Sequence, residues 1–122
     1  MAEKPDLELK ELGFYHGTTK YYRISPLFRT YVTDGIIYIM ENGYSWFVTD
    51  ALSIIERKLK NRDSFYSVNL VKEYYKGKST WTMRITNGAN KTYHIQRYTW
   101  SDAKRELKLF HMNGVLMLSG EY

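Results

Sequence analysis

The spacing of the apolar residues changes at Asn61, and that change restricts the chain to folds that lay helices against a sheet. Upstream, Tyr44, Phe47, Val48, Ala51, Leu52, Ile55 and Leu59 fall at i, i+3, i+4, i+7, i+8, i+11 and i+15, one stripe of a 3.6-residue period. A helix from about Tyr44 to Lys60 is expected, with Arg57, Lys58, Lys60 and Arg62 in its last turn and exit, where cations complement the negative end of the helix dipole. Downstream the period is two: Tyr66, Val68 and Leu70, then Trp81, Met83 and Ile85, then Tyr93 and Ile95, each set alternating with polar or smaller neighbours. Thr86-Asn87-Gly88-Ala89-Asn90-Lys91 joins the second and third of these strands as a hairpin. Matching their apolar faces puts Ile85 opposite Tyr93 and Met83 opposite Ile95, and leaves Gly88-Ala89-Asn90 as the loop, with Asn90 in the left-handed position. The same register sets Arg84 across from His94 and Thr82 across from Gln96, on a polar face that also holds Thr80, Thr86, Thr92 and Tyr98.

A second hairpin closes the chain. An Asn113-Gly114 turn pairs Met112 with Val115, His111 with Leu116 and Phe110 with Met117, so apolar groups fall on both faces, as in strands from the middle of a sheet. Nearer the N-terminus, Thr33 or Asp34 caps a short helix carrying Ile36, Ile37 and Met40, which Asn42-Gly43 ends. Gly17 to Tyr31, interrupted by Ser25-Pro26, reads as irregular or edge strand. Pro5 to Leu12 has the proline and acids of a first helical turn, and Gly13 is its stop. The expectation is an α+β fold: one domain over 1–122, with 1–15 a short N-terminal helix and lead-in, and N-terminal helices packed on one face of a mainly antiparallel sheet of about five strands.

Composition narrows the function classes. With no cysteine among 122 residues, a disulfide framework, a thiolate zinc site and a cysteine nucleophile are all excluded. No apolar run approaches the roughly 18 residues of a membrane span, and Met1 to Leu12 lacks the basic-then-apolar order of a secretory signal, so a cytoplasmic location is expected. The net charge is +5, split as −2 over residues 1–11 and +7 over the remainder. A basic body attracts phosphates, nucleotides or an acidic protein face, and has the wrong sign to imitate DNA. Twelve tyrosines outnumber five phenylalanines, and several sit among cations: Lys20-Tyr21-Tyr22-Arg23, Arg29-Thr30-Tyr31 and Lys72-Glu73-Tyr74-Tyr75-Lys76-Gly77-Lys78. Rings interleaved with basic groups suit stacking on bases and clamping of phosphates, and they also suit a half-buried core rim.

From Gly17 to Tyr122 the chain resembles the DUF6876 family of uncharacterised small bacterial, phage and plasmid proteins. The resemblance rests on Gly17-Thr18 with Tyr21-Tyr22-Arg23, on Thr33-Asp34-Gly35-Ile36-Ile37-Tyr38, on Tyr44-Ser45-Trp46 with Asp50, on Leu107-Lys108-Leu109-Phe110, and above all on the ending. Asn113-Gly114-Val115-Leu116-Met117-Leu118-Ser119-Gly120-Glu121-Tyr122 is similar to the family's close, with Ser119-Gly120 where the family has Pro-Ser. The family supplies no mechanism. It implies a setting on mobile elements, where short proteins frequently bind and inhibit host machinery.

No catalytic constellation stands out. His16, His94 and His111 lack the i, i+4 spacing of a helical metal site, and the eight glycines form neither a phosphate loop nor a dinucleotide fingerprint. Gly43-Tyr44-Ser45-Trp46-Phe47 fails the nucleophile elbow at its last position, and the acids of Asp6-Leu7-Glu8-Leu9-Lys10 crowd one short helix, which is not how a nuclease places its carboxylates. His111, in a strand apolar on both faces, reads as a core histidine held by one hydrogen bond. The sequence therefore leads to a non-enzymatic binding protein without cofactor or metal. Its candidate contact residues are Lys20, Tyr21, Tyr22, Arg23, Tyr74, Tyr75, Lys76, Arg84, His94 and Gln96. Its expected partner is a host protein or ribonucleoprotein complex that it inhibits stoichiometrically in counter-defence. The rival is a nucleic-acid or nucleotide binder; a third reading is a hydrolase using His94 or His16 with a carboxylate. No membrane is implied, and a homodimer is compatible with the letters.

Overall fold

The computed structural model describes residues 20–98, 101 and 103–122, the side chain of Tyr75 apart. The helix expected over Pro5 to Leu12 and the residue His16 lie outside these.

Seven strands form one sheet in the order β1-β2-β7-β6-β3-β4-β5, two more than expected: β1 (Tyr21–Tyr22), β2 (Tyr31–Thr33), β3 (Phe65–Tyr75), β4 (Lys78–Thr86), β5 (Thr92–Tyr98), β6 (Leu107–Met112) and β7 (Val115–Leu118). All neighbours run antiparallel except β2 and β7, which are parallel with Tyr31 beside Val115. Between β2 and β3 the chain builds the helical layer, α1 (Asp34–Ile39) and α2 (Ser45–Ser53), joined by a kinked link at Met40–Tyr44; α2 runs on as a π-helical turn at Ile54–Lys58. The kink is at Asn42-Gly43, where Gly43 takes φ 99, the left-handed stop expected there.

The stripe read from the sequence is the core of this layer. Phe47, Val48, Ala51, Leu52 and Ile55 are fully buried on the sheet's inner residues Val68, Leu70, Met83, Ile85, Leu109 and Leu116. Fully burying side chains of this size stabilises by about 1.5–3 kcal/mol each, which fixes the helices over the centre of the sheet. The C-terminal hairpin has the expected register, Met112 with Val115, His111 with Leu116 and Phe110 with Met117, about an Asn113-Gly114 turn whose φ values are 52 and 74. It sits in the sheet interior, which explains its apolar residues on both faces.

The sheet's close is locked to the start of α1. Glu121, in the short 3-10 turn Ser119–Glu121, is buried and accepts from Thr33 Oγ1 at 2.6 Å, from Leu118 N–H at 2.8 Å and from Gly35 N–H at 3.2 Å. Thr33 caps the helix, accepting from Ile36 N–H at 3.4 Å. A Cβ on Gly35 would lie 2.5 Å from Glu121 Oε1, so this position admits no larger residue without movement.

A tight Lys76-Gly77 turn, with φ 53 and 78, joins β3 directly to β4, so the Tyr74–Lys78 cluster lies at a hairpin tip. One expected register is corrected: beyond the first pair, β4 and β5 are offset by one. Thr86 pairs with Thr92 but Ile85 pairs with His94, which leaves Tyr93 as an extra, bulged residue; Met83 then faces Gln96 and Arg84 faces Ile95. The cause is aromatic. Tyr93 packs edge-on against buried Tyr66 at 5.4 Å, and Tyr98 edge-on against Trp46 at 4.9 Å. Two residues five apart can both turn to the helical layer only if the strand carries an extra one. The loop itself is the expected Gly88-Ala89-Asn90, with Thr86 paired to Thr92 and Asn87 N–H donating to Lys91 O at 3.0 Å, but Gly88 at φ 84 takes the left-handed position in place of Asn90.

Candidate functional site

The end of the helical layer and the start of β5 meet over one end of the sheet. The helix exits through a wide turn in which Leu59 N–H donates to Ile54 O at 2.8 Å and Asn61 N–H to Ile55 O at 3.0 Å, with Lys60 and Asn61 both left-handed at φ 54 and 51. Two successive non-glycine residues in that region are uncommon. The turn brings Arg62 and Asp63 back to the sheet, where Asp63 N–H donates to the Tyr66 hydroxyl at 3.0 Å and Arg62 Nε to Leu59 O at 3.0 Å.

Between this turn and β5 lies a cleft of about 400 Å³, lined by Lys58, Arg62 and Lys91 together with Asp63, Tyr66 and Tyr93. The Lys91 ammonium stands over the Tyr93 ring, 5.0 Å from its centroid. Among the described residues, Lys58, Arg62 and Lys91 form no ion pair. Against these three charges stand the Asp63 carboxylate and the roughly half negative charge of the helix terminus, so positive potential prevails.

A line of polar side chains runs from this cleft along the inner face of β5. Lys58 Nζ is 2.9 Å from His94 Nδ1, and His94 Nε2 is 3.2 Å from Gln96 Oε1. With Lys58 donating, Nδ1 accepts and Nε2–H donates, so both ring nitrogens are engaged. Asp50 Oδ2 accepts from Tyr98 hydroxyl at 2.8 Å and from Gln96 Nε2 at 3.4 Å. Burial, followed by the neighbouring Asp50, holds the Tyr98 hydroxyl far above its usual range.

A second polar cluster, around the half-buried Glu56, ties β2's lead-in to the helix end. Glu56 accepts from the N–H of Arg29 at 2.9 Å and of Thr30 at 2.7 Å, and Thr30 Oγ1 is 3.0 Å from His111 Nε2. Burial works to raise the Glu56 carboxyl, but hydrogen bonds from Thr30 and Arg29 and the charge of His111 outweigh it and hold it below the usual value. For His111 burial dominates and depresses the imidazole, with Glu56 opposing. The ring also lies edge-on to Tyr66 at 5.9 Å. His111 is thus the hydrogen-bonded core histidine expected.

The residues singled out from sequence do not form one site. Tyr21 and Tyr22 are exposed on edge strand β1, where Tyr22's hydroxyl bonds Asp34, and Lys20 precedes them. Arg23 stacks over Tyr31 at 5.3 Å. Tyr74 and Lys76 belong to the β3–β4 hairpin tip, Tyr74 being 84% exposed, and Tyr75 closes β3, its side chain outside the described residues. Arg84 lies on the sheet face away from the helices, bonded to both Glu73 carboxylate oxygens at 2.8 and 3.0 Å, which lowers the Glu73 carboxyl. The proposed Arg84–His94 pair is therefore replaced: the bulge at Tyr93 puts His94 and Gln96 on the opposite face, against Lys58 and Asp50. The cleft cations were legible only as dipole partners of the helix; their union with Lys91 depends on a strand pairing across some thirty residues.

A family model for proteins of unknown function, DUF6876, matches residues 6–122, and the chain belongs to that family. No curated protein and no solved structure matches.

Proposed function

We propose that this DUF6876 chain is a non-enzymatic binding protein whose cleft between the helix exit and β5 receives a phosphate-bearing ligand, a nucleotide or nucleic acid. The observation that carries this reading is the convergence of Lys58, Arg62 and Lys91, without ion pairs among the described residues, on a recess of about 400 Å³ walled by Tyr66 and Tyr93. Arg62 and the two lysines supply charge and donors for phosphate oxygens, and the half-buried Tyr93 ring under the Lys91 ammonium holds that cation at the cleft wall. The alternative of a stoichiometric inhibitor of a host complex would press the same charges against an acidic protein. Exposed cations around a concave cleft fit a small anionic group entering from solvent better than a flat protein face. Hydrolysis through His94 is disfavoured because neither ring nitrogen is available without breaking its bond to Lys58 or Gln96.

The test is fluorescence anisotropy with labelled single-stranded oligonucleotides. Affinity should fall steeply with salt, and Lys91→Ala and Arg62→Ala should each weaken it by about tenfold, the equivalent of about 1.4 kcal/mol, while Lys76→Ala leaves it unchanged. Flat titrations at low salt, or equal losses at Lys76, would refute the reading.

A further inference from the structure

The strand order extends the basic surface beyond the first cleft. At the end of the sheet where β2, β3 and β5 begin, the order β2-β7-β6-β3-β4-β5 sets Arg29 and Thr30, then the Asn113-Gly114 turn, then Ser64, then Lys91 to Tyr93 in a row. The helix exit, residues 57–62, lies over this row. A second cleft of about 320 Å³, with Arg29, Asn61 and Asp63 in its wall, adjoins the first through Asp63. A third, of about 330 Å³, holds Arg57 and Lys60 and shares Arg29 and Asn61 with the second. The Glu56 carboxylate also lines this third cleft, where it accepts from the backbone N–H groups of Arg29 and Thr30, and Arg57 stacks over Phe28 at 5.5 Å. None of Arg29, Arg57 and Lys60 forms an ion pair among the described residues.

Resting on the reading of the first cleft, we infer that the ligand is a polymer: a single-stranded nucleic acid lying across the sheet end and occupying successive clefts. Three adjoining recesses of similar size, each carrying at least one cation, match a repeating unit that bears one negative charge. A mononucleotide would leave Arg29, Arg57 and Lys60 without a role, and a duplex keeps its bases stacked and paired and presents none to the clefts. Lys60 and Asn61, both left-handed, form the turn at which the second and third clefts meet.

The experiment compares a dinucleotide with an oligomer of about eight nucleotides, as DNA and as RNA, on the full chain and on Arg29→Gln, Arg57→Gln and Lys91→Gln variants, with circular dichroism to confirm the fold. The octamer should bind at least about tenfold more tightly than the dinucleotide. Its dependence of log affinity on log salt should be near −4, for about six phosphate contacts, falling to about −1 for the dinucleotide with its one or two phosphates. Arg29→Gln and Arg57→Gln should weaken the octamer about fivefold and leave the dinucleotide unchanged, whereas Lys91→Gln should weaken both. Octamer binding unaffected by Arg29→Gln and Arg57→Gln, but still sensitive to Lys91→Gln, would overturn the polymer path and leave the first cleft standing. Loss of all binding by the unaltered chain would overturn both, and equal competition by polyglutamate would overturn the assignment to nucleic acid. A preference for DNA or RNA alone identifies the sugar and supports the path.

Discussion

At the scale of single side chains, Glu121 is the residue on which the two ends of the fold depend. It joins the chain's close to the start of the first helix, accepting from Thr33, Gly35 and Leu118 in a buried setting. Glu121→Ala leaves these donors without partners and should destabilise the protein by about 2–4 kcal/mol in urea denaturation. Gly35→Ala should also destabilise, although alanine is the better helix former by about 1 kcal/mol, because its Cβ would sit 2.5 Å from Glu121 Oε1. Stabilisation by Gly35→Ala would show that the clamp is loose. His111 makes the second residue-scale prediction. Burial lowers its affinity for protons in the folded state below the ordinary 6.5, so on acidification the unfolded chain takes up a proton first. Stability is therefore full above that value and is lost as pH falls through it towards the depressed value of the folded state. His111→Gln should flatten this part of the stability profile, and an unchanged slope would assign the loss elsewhere. Glu56, lowered in the fold, adds a loss of the same sign only below its ordinary 4.5.

At the scale of elements, legibility followed how local the determining interactions are. The Tyr44–Leu59 stripe and the Asn113-Gly114 hairpin depend on neighbours in sequence, and both stand where the period placed them. Strand β5 did not, because its phase is set by Tyr66 and Trp46, which no local pattern announces. The tip at Lys76-Gly77 was obscured by its tyrosines and lysines, which read as a recognition cluster although a left-handed pair before Lys78 is a hairpin signal. The bulge is testable through Ile95, left 42% exposed. Ile95→Thr should cost less than about 0.5 kcal/mol, as for an open surface position, whereas the register read from sequence would make it a core substitution costing about 2 kcal/mol or more.

For the whole molecule, sign of charge was visible in the letters but its location was not. The +5 chain spends Arg84 on Glu73, while Lys58, Arg62 and Lys91 line one cleft although sequence assigns them to a helix end and a distant loop. A seven-stranded order is what unites them. The most direct test of that assembly is a heteronuclear NMR titration of the full chain with a single-stranded octanucleotide. The account predicts that amide shifts concentrate at Lys58 to Asp63 and Lys91 to Tyr93, with Tyr74 to Lys78 and Arg84 unmoved; shifts centred on that hairpin tip, or on the Arg84 face, would contradict it.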